Sequence, residues 1–144
     1  MRFSKLTKED KMLIDKALDT IKRNRIETKA ISASVGVALM TDKGKIYFST
    51  NIKNYLSSPT SICAEMGAIA SMFSEGERKI KTIVAVHIPD RKSNYWRIIP
   101  PCGACRHVLH CFGNPWVIVS VKKKVKLREL YPLPVRPYTA RDRK

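Results

Sequence analysis

Ile80-Lys81-Thr82-Ile83-Val84-Ala85-Val86-His87-Ile88 is the stretch from which the architecture follows. It is almost continuously apolar and rich in β-branched residues, the composition of a strand covered on both faces. Upstream, Ile62, Met66, Ile69, Ala70 and Phe73 recur at helical spacing as far as Gly76, which predicts a helix with that stripe buried. Downstream, a basic loop through Asn94 leads to Pro101. Residues 102–112 then read as a helix closed by Gly113, and residues 115–121 as a second buried strand. Helix and strand alternate, so the expected class is α/β.

Further out, Leu13, Ile14, Ala17, Leu18 and Ile21 predict an amphipathic helix over residues 8–23, with a capping-box start at Thr7-Lys8-Glu9-Asp10. Residues 34–40 and 46–52 form a hairpin across Thr41-Asp42-Lys43-Gly44, where glycine suits a positive φ. Beyond Lys122-Lys123-Lys124, the pair Val125 and Leu127 follows too soon for a parallel crossover, which takes at least about 10–12 residues. The last strand is therefore antiparallel. The expectation is one three-layer α/β domain over residues 1–144: a mixed sheet of about five strands, helices on both faces, and a proline-rich basic tail from about residue 131.

The 144 residues carry 28 lysines and arginines against 12 acidic side chains, a formal charge of +16. Such a field draws anions, and it makes nucleic acid a conceivable partner, although the cations are scattered rather than gathered in one arm. No apolar run approaches the ~20 residues needed to span a bilayer, and the first ten residues lack the apolar core of a signal peptide. A soluble protein without membrane partners is expected, in the cytoplasm. In that reducing setting Cys63, Cys102, Cys105 and Cys111 read as ligands, catalytic groups or packing residues rather than two disulfides.

Their spacing is specific. Cys63-Ala64-Glu65 opens one predicted helix and Pro101-Cys102-Gly103-Ala104-Cys105 opens the next. Positive helix ends favour the thiolate, and cysteines three apart on a first turn reach one ion together. Cys63, Cys102 and Cys105 are thus expected to hold Zn²⁺. Cys111, six residues past Cys105, lies roughly 240° around and about 9 Å along the helix, so it faces into packing and not toward the metal. Three thiolates without a fourth protein ligand leave a position for water, the catalytic arrangement; the alternatives are a closed structural site that uses Cys111 or a histidine, or unrelated core cysteines. Glu65 is then placed to take and return protons. Arg106 and the two helix ends are candidates to offset the negative charge of the centre. His87, His107 and His110 read as partners within the fold.

The order of these motifs resembles the cytidine deaminase family, in particular its small homotetrameric free-nucleoside members. A cysteine two residues before a glutamate, followed by Pro-Cys-x-x-Cys, is the general signature of zinc deaminases. Val35-Gly36-Val37-Ala38-Leu39, Asn51, both cysteine motifs and Arg128-Glu129-Leu130-Tyr131-Pro132 fall in family order over about residues 30–135. The resemblance implies a cytidine-deaminase-like fold, Zn²⁺ on Cys63, Cys102 and Cys105, Glu65 as proton shuttle, and Asn51 and Ala64 at the substrate. It also implies a cytosine nucleoside as small-molecule substrate and a homotetramer in which Tyr131 or Tyr138 of the tail covers the ligand.

The sequence departs from the family at the sugar motif, where Asn51-Ile52-Lys53-Asn54 has a lysine in place of glutamate. Ala33 stands where an aromatic commonly packs on the pyrimidine, and Met66 stands where an arginine often follows Cys-Ala-Glu. Blasticidin S deaminases look similar in these respects and in their Arg-Glu-Leu-x-Pro ending. The Lys53 cation also suits a substrate bearing a phosphate or carboxylate. Polynucleotide deaminases generally use histidine as first ligand and a parallel last strand, which opposes a reading as an RNA or DNA deaminase. A noncatalytic zinc protein that binds nucleic acid through its lysines is the remaining alternative, and it has no use for Glu65.

Overall fold

A computed structural model describes residues 1–135. Pro137 and Tyr138 of the tail lie outside the described residues. The chain runs β1 (Phe3–Lys5), α1 (Lys8–Asn24), β2 (Ile26–Glu27), β3 (Ile31–Ala33), β4 (Val35–Thr41), β5 (Ile46–Thr50) and β6 (Lys53–Asn54). A 3-10 turn over Ser58–Thr60 precedes α2 (Ala64–Ser74), β7 (Ile80–His87), β8 (Arg97–Ile99), α3 (Gly103–His110), β9 (Trp116–Ile118), β10 (Lys123–Lys126) and α4 (Leu127–Leu130).

The main sheet has seven strands in the order β1-β10-β9-β7-β4-β5, with β8 also on β7. β7 and β9 run parallel, joined by the crossover that contains α3, and β10 returns antiparallel to β9. Two strands more than expected enter the sheet. β1 is a short edge strand paired to β10, and β8 arises inside the basic loop, pairing Arg97–Ile99 with the end of β7. Three-residue strands are too short to show a period, so neither announces itself in the sequence. β2, β3 and β6 form a separate small sheet.

Alternation along the strands builds the three layers. Ala38, Met40, Val84, Val86 and Ile118 face α1 and pack on Leu13, Ile14, Ala17 and Ile21. Their neighbours Val37, Leu39, Ile83, Ala85 and Val117 face the other way, onto Ala64, Ala68, Ile69 and Met72 of α2, with Leu109 and Leu127. Thr7 and Asp10 cap α1 reciprocally, at 2.8 and 3.2 Å. α1 crosses β4 so closely that a Cβ at Gly36 would stand 2.3 Å from the Ala17 carbonyl oxygen. Gly44 closes the β4–β5 hairpin at φ +83°.

The α2 stripe is a correction. Ile69 is buried, but Ile62, Met66, Ala70 and Phe73 are exposed, and the inward face is Ala64, Glu65, Ala68, Ile69 and Met72. α2 is apolar nearly all round, so periodicity could not choose its inner face. The side with the small residues packs closest: a Cβ at Gly67 would meet Ser49 Oγ at 2.7 Å.

Candidate metal centre and active site

α2 and α3 bring the predicted ligands together. Cys63 is the N-cap of α2 and Cys102 the N-cap of α3; both have extended backbone, and neither side chain caps its helix. Residues favoured at that position bond back to the first turn. A thiol does so poorly, and both sulfurs are left free to converge with Cys105, one turn into α3. The three Sγ atoms lie within 4.8 Å of one another. Cys105 is buried, while Cys63 and Cys102 open onto a cavity of about 340 Å³.

The surrounding contacts fix this geometry. Ile52 and Ile62 exchange both main-chain hydrogen bonds at 2.9 Å and so tie the segment before Cys63 to the end of the hairpin. Ser49 Oγ donates to the Ala64 carbonyl at the start of α2. Arg106 Nε donates to the Pro101 carbonyl at 2.8 Å and its Nη1 to the Leu130 carbonyl at 2.9 Å. The guanidinium therefore braces the loop before Cys102 against α4. β8 holds the same loop from its other end, and Ile99 and Pro100 line the cavity.

Glu65 is buried beside the sulfurs, and Cys105 Sγ donates to its Oε2 at 3.5 Å. Burial, the Glu65 carboxylate and the two neighbouring thiols push the Cys105 thiol well above its usual range, and burial pushes Cys63 up as well. So crowded a set of acidic groups calls for a cation at its centre. Three soft sulfur donors fit Zn²⁺.

The other candidates fall into two groups. Asn51 and Ala64 line the same cavity, together with Val35, Lys53 and Ser61. Asn51 Oδ1 accepts the Ser34 and Val35 N–H groups, both at 2.9 Å, so only its NH₂ is left to donate. Cys111 does not join the sulfur cluster; contrary to the expectation of packing, it is exposed at the C-cap of α3, where the helix has already ended. His107 meets the Tyr131 hydroxyl at 3.0 Å, and His110 packs edge-on against the same ring. Tyr131 thus rests on α3 in its own chain.

Ser49, Gly67 and β8 are the parts of the site that the motifs do not announce. For Ser49 a signal exists: it shares a strand face with Tyr47, and a small polar residue on the inward side of a hairpin has a partner to find.

Comparison with known proteins agrees with this geometry. The family model described as the cytidine and deoxycytidylate deaminase zinc-binding region matches residues 7–121. The chain is 30% identical over 139 residues to a blasticidin-S deaminase of Bacillus cereus, covering 92% of this chain and 96% of that one. It is 41% identical over 88 residues to a probable cytidine deaminase of Dictyostelium discoideum, covering 61% of this chain and 55% of that one. Among solved structures, the cytidine deaminase from Bacillus anthracis superposes with a TM-score of 0.72 at 20% identity, over 85% of this chain and 86% of that one. The one from Burkholderia pseudomallei gives 0.70 at 25% identity, over 90% and 100%. The chain belongs to the cytidine and deoxycytidylate deaminase family. It has that family's fold and is a zinc-dependent hydrolase of the deaminase type.

Proposed function

We propose that the protein deaminates a free cytosine nucleoside, releasing ammonia and leaving the uracil form, with Cys63, Cys102 and Cys105 as the zinc ligands. Bound there, Zn²⁺ supplies Lewis-acid activation of the attacking water. Glu65 removes a proton from that water, passes it to the ring nitrogen, and protonates the departing amine. The observation that carries this reading is the buried Glu65 carboxylate 3.5 Å from a sulfur of the three-thiol cluster, at a cavity of about 340 Å³. A purely structural zinc site has no need of such a group. Asn51 donates its NH₂ to the substrate, and Ala64, at the first turn of α2, contributes its main chain, whose N–H has no helical acceptor. Arg106 acts through the loop it braces.

The exposed apolar face of Ile62, Met66 and Phe73, continued by Ile52, supports assembly of several copies, as in the homotetrameric deaminases that the sequence resembles. The free cysteines support a reducing compartment, the cytoplasm, and among the described residues no helix is long and apolar enough to cross a membrane. The test is a panel of cytidine, deoxycytidine, CMP and blasticidin S, followed by loss of cytosine absorbance and release of ammonia by the zinc-loaded enzyme. Turnover of none of the four would end this reading.

A further inference from the structure

We infer that the substrate carries an anionic group, a carboxylate or a phosphate, on its sugar, and that Lys53 selects it; this rests on the nucleoside-deaminase reading above. The cavity has two chemically different ends. At one lie the sulfurs and Glu65, among the described residues the only carboxylate that lines it. Away from them lie Lys53 and Ser61, with Asn51 between, and these side chains offer donors. Asn51 Oδ1 is spent on two main-chain N–H groups. Ser61 Oγ already accepts the Asn54 N–H at 2.9 Å, so its own proton remains to be given. Lys53 is a donor by nature.

The backbone sets the spacing of these groups. Ile52 and Ile62 pair antiparallel, which puts Asn51 level with Cys63 and Lys53 level with Ser61. Along an extended segment, residues two apart share a face and stand about 7 Å from each other. Lys53 is therefore displaced from the sulfur end by about the distance from a pyrimidine ring to the outer substituents of its sugar. Its Nζ lies 5.3 Å from the centre of the Tyr55 ring, and among the described residues it has no carboxylate partner. A neutral ribose hydroxyl can exchange hydrogen bonds with this wall but brings no charge to meet the Lys53 ammonium. A carboxylate or phosphate oxygen accepts from all three side chains, and the ammonium serves it as a point charge.

The test compares charge at constant base. On the zinc-loaded full chain, kcat/KM is measured for cytidine, cytidine 5′-phosphate and cytidine 5′-carboxylate, and binding of the three uridine counterparts is measured by calorimetry. Anionic ligands are expected to exceed the neutral one by about tenfold or more, as a charge-assisted hydrogen bond allows. The larger of the two anionic ratios tells phosphate from carboxylate. Lys53→Gln should remove that preference, and Lys53→Arg should keep it, with zinc content and circular dichroism verifying the fold of both. Neutral ligands that match the anions, a preference that survives Lys53→Gln, or absence of binding by all three would overturn the inference. Absence of turnover with charge-selective binding would instead sink the deamination reading and leave the Lys53 assignment standing.

Discussion

Glu65 Oε2 and Cys105 Sγ lie 3.5 Å apart although 40 residues separate them in the chain. A carboxylate so close to a cluster of sulfurs cannot be moved by a methylene without losing its reach. Glu65→Gln keeps the shape and removes the base. Zinc should stay at one per chain by elemental mass spectrometry, while kcat falls by at least about 10²–10⁴-fold, the usual contribution of a positioned acid–base group. Retained activity would assign the proton transfers elsewhere.

The cysteines should divide three to one. Replacing Cys102 by Ser takes away a soft ligand and should empty the centre under mild dialysis against chelator. Cys111→Ser changes an exposed side chain outside the cluster and should leave both zinc content and kcat/KM within about twofold, as most surface substitutions do. Loss of zinc from the Cys111 variant would point to a closed, four-cysteine site.

The outer face of α2 should report assembly. Phe73 is 50% exposed and stacks under the Arg78 guanidinium at 3.7 Å, and Met66 and Ile62 continue the surface. A carboxylate introduced at Phe73 is costly only if this face is covered by another copy. Light scattering should find Phe73→Glu smaller than the parent, which is expected to be a multimer. Equal masses would locate the contact elsewhere.

Acid should loosen the far side of the sheet. Lys124 Nζ donates to Asp10 Oδ2 at 2.6 Å, tying β10 to the start of α1, and both side chains are buried. Burial alone would raise the Asp10 carboxyl, but the hydrogen bonds from Lys124 and the Thr7 N–H outweigh it and hold it below its ordinary 3.8. A depressed folded-state pKa gives stability that is present above 3.8 and is lost as pH falls through the lower folded value. Urea midpoints should therefore drop as pH falls below the ordinary 3.8, less steeply in Asp10→Asn. At neutral pH that variant, which leaves the buried Lys124 without a counter-charge, should lose about 3 kcal/mol. Parallel pH profiles for the two proteins would refute the linkage.

Gly36 should tolerate no side chain. The Cβ of Gly36→Ala would fall 2.3 Å from a main-chain oxygen of α1, which a rotamer change cannot relieve. The helix must lift from β4, at about 1–3 kcal/mol by the usual cost of overpacking. Chemical denaturation measures this, and an unchanged midpoint would mean that α1 packs less tightly than the geometry here.

The sequence made the core of this molecule readable wherever one pattern had one solution. β7 could only be a doubly covered strand, and the interval after β9 was too short for anything but an antiparallel return. The three-sulfur cluster was legible because two helix starts carried thiols where capping residues usually stand. Three things were not. The inner face of α2 is chosen by close approach to Ser49, which a uniformly apolar helix does not reveal. β1 and β8 exist because neighbouring edges offer them partners, a tertiary effect with no local period. The occupation of Asn51 Oδ1 depends on the chain at Ser34 and Val35, 17 and 16 residues away.

Cysteine at both N-caps sets a thermodynamic trade. Each helix forgoes the bond that serine or aspartate would make there, at about 1 kcal/mol apiece, so the metal-free protein keeps two helix starts prone to fray. A cation that clasps both starts anchors them, and its binding energy adds to the resistance of the whole chain to unfolding, by about 4 kcal/mol when free metal exceeds its dissociation constant a thousandfold. Catalytic competence and durability therefore rise and fall together with metal supply.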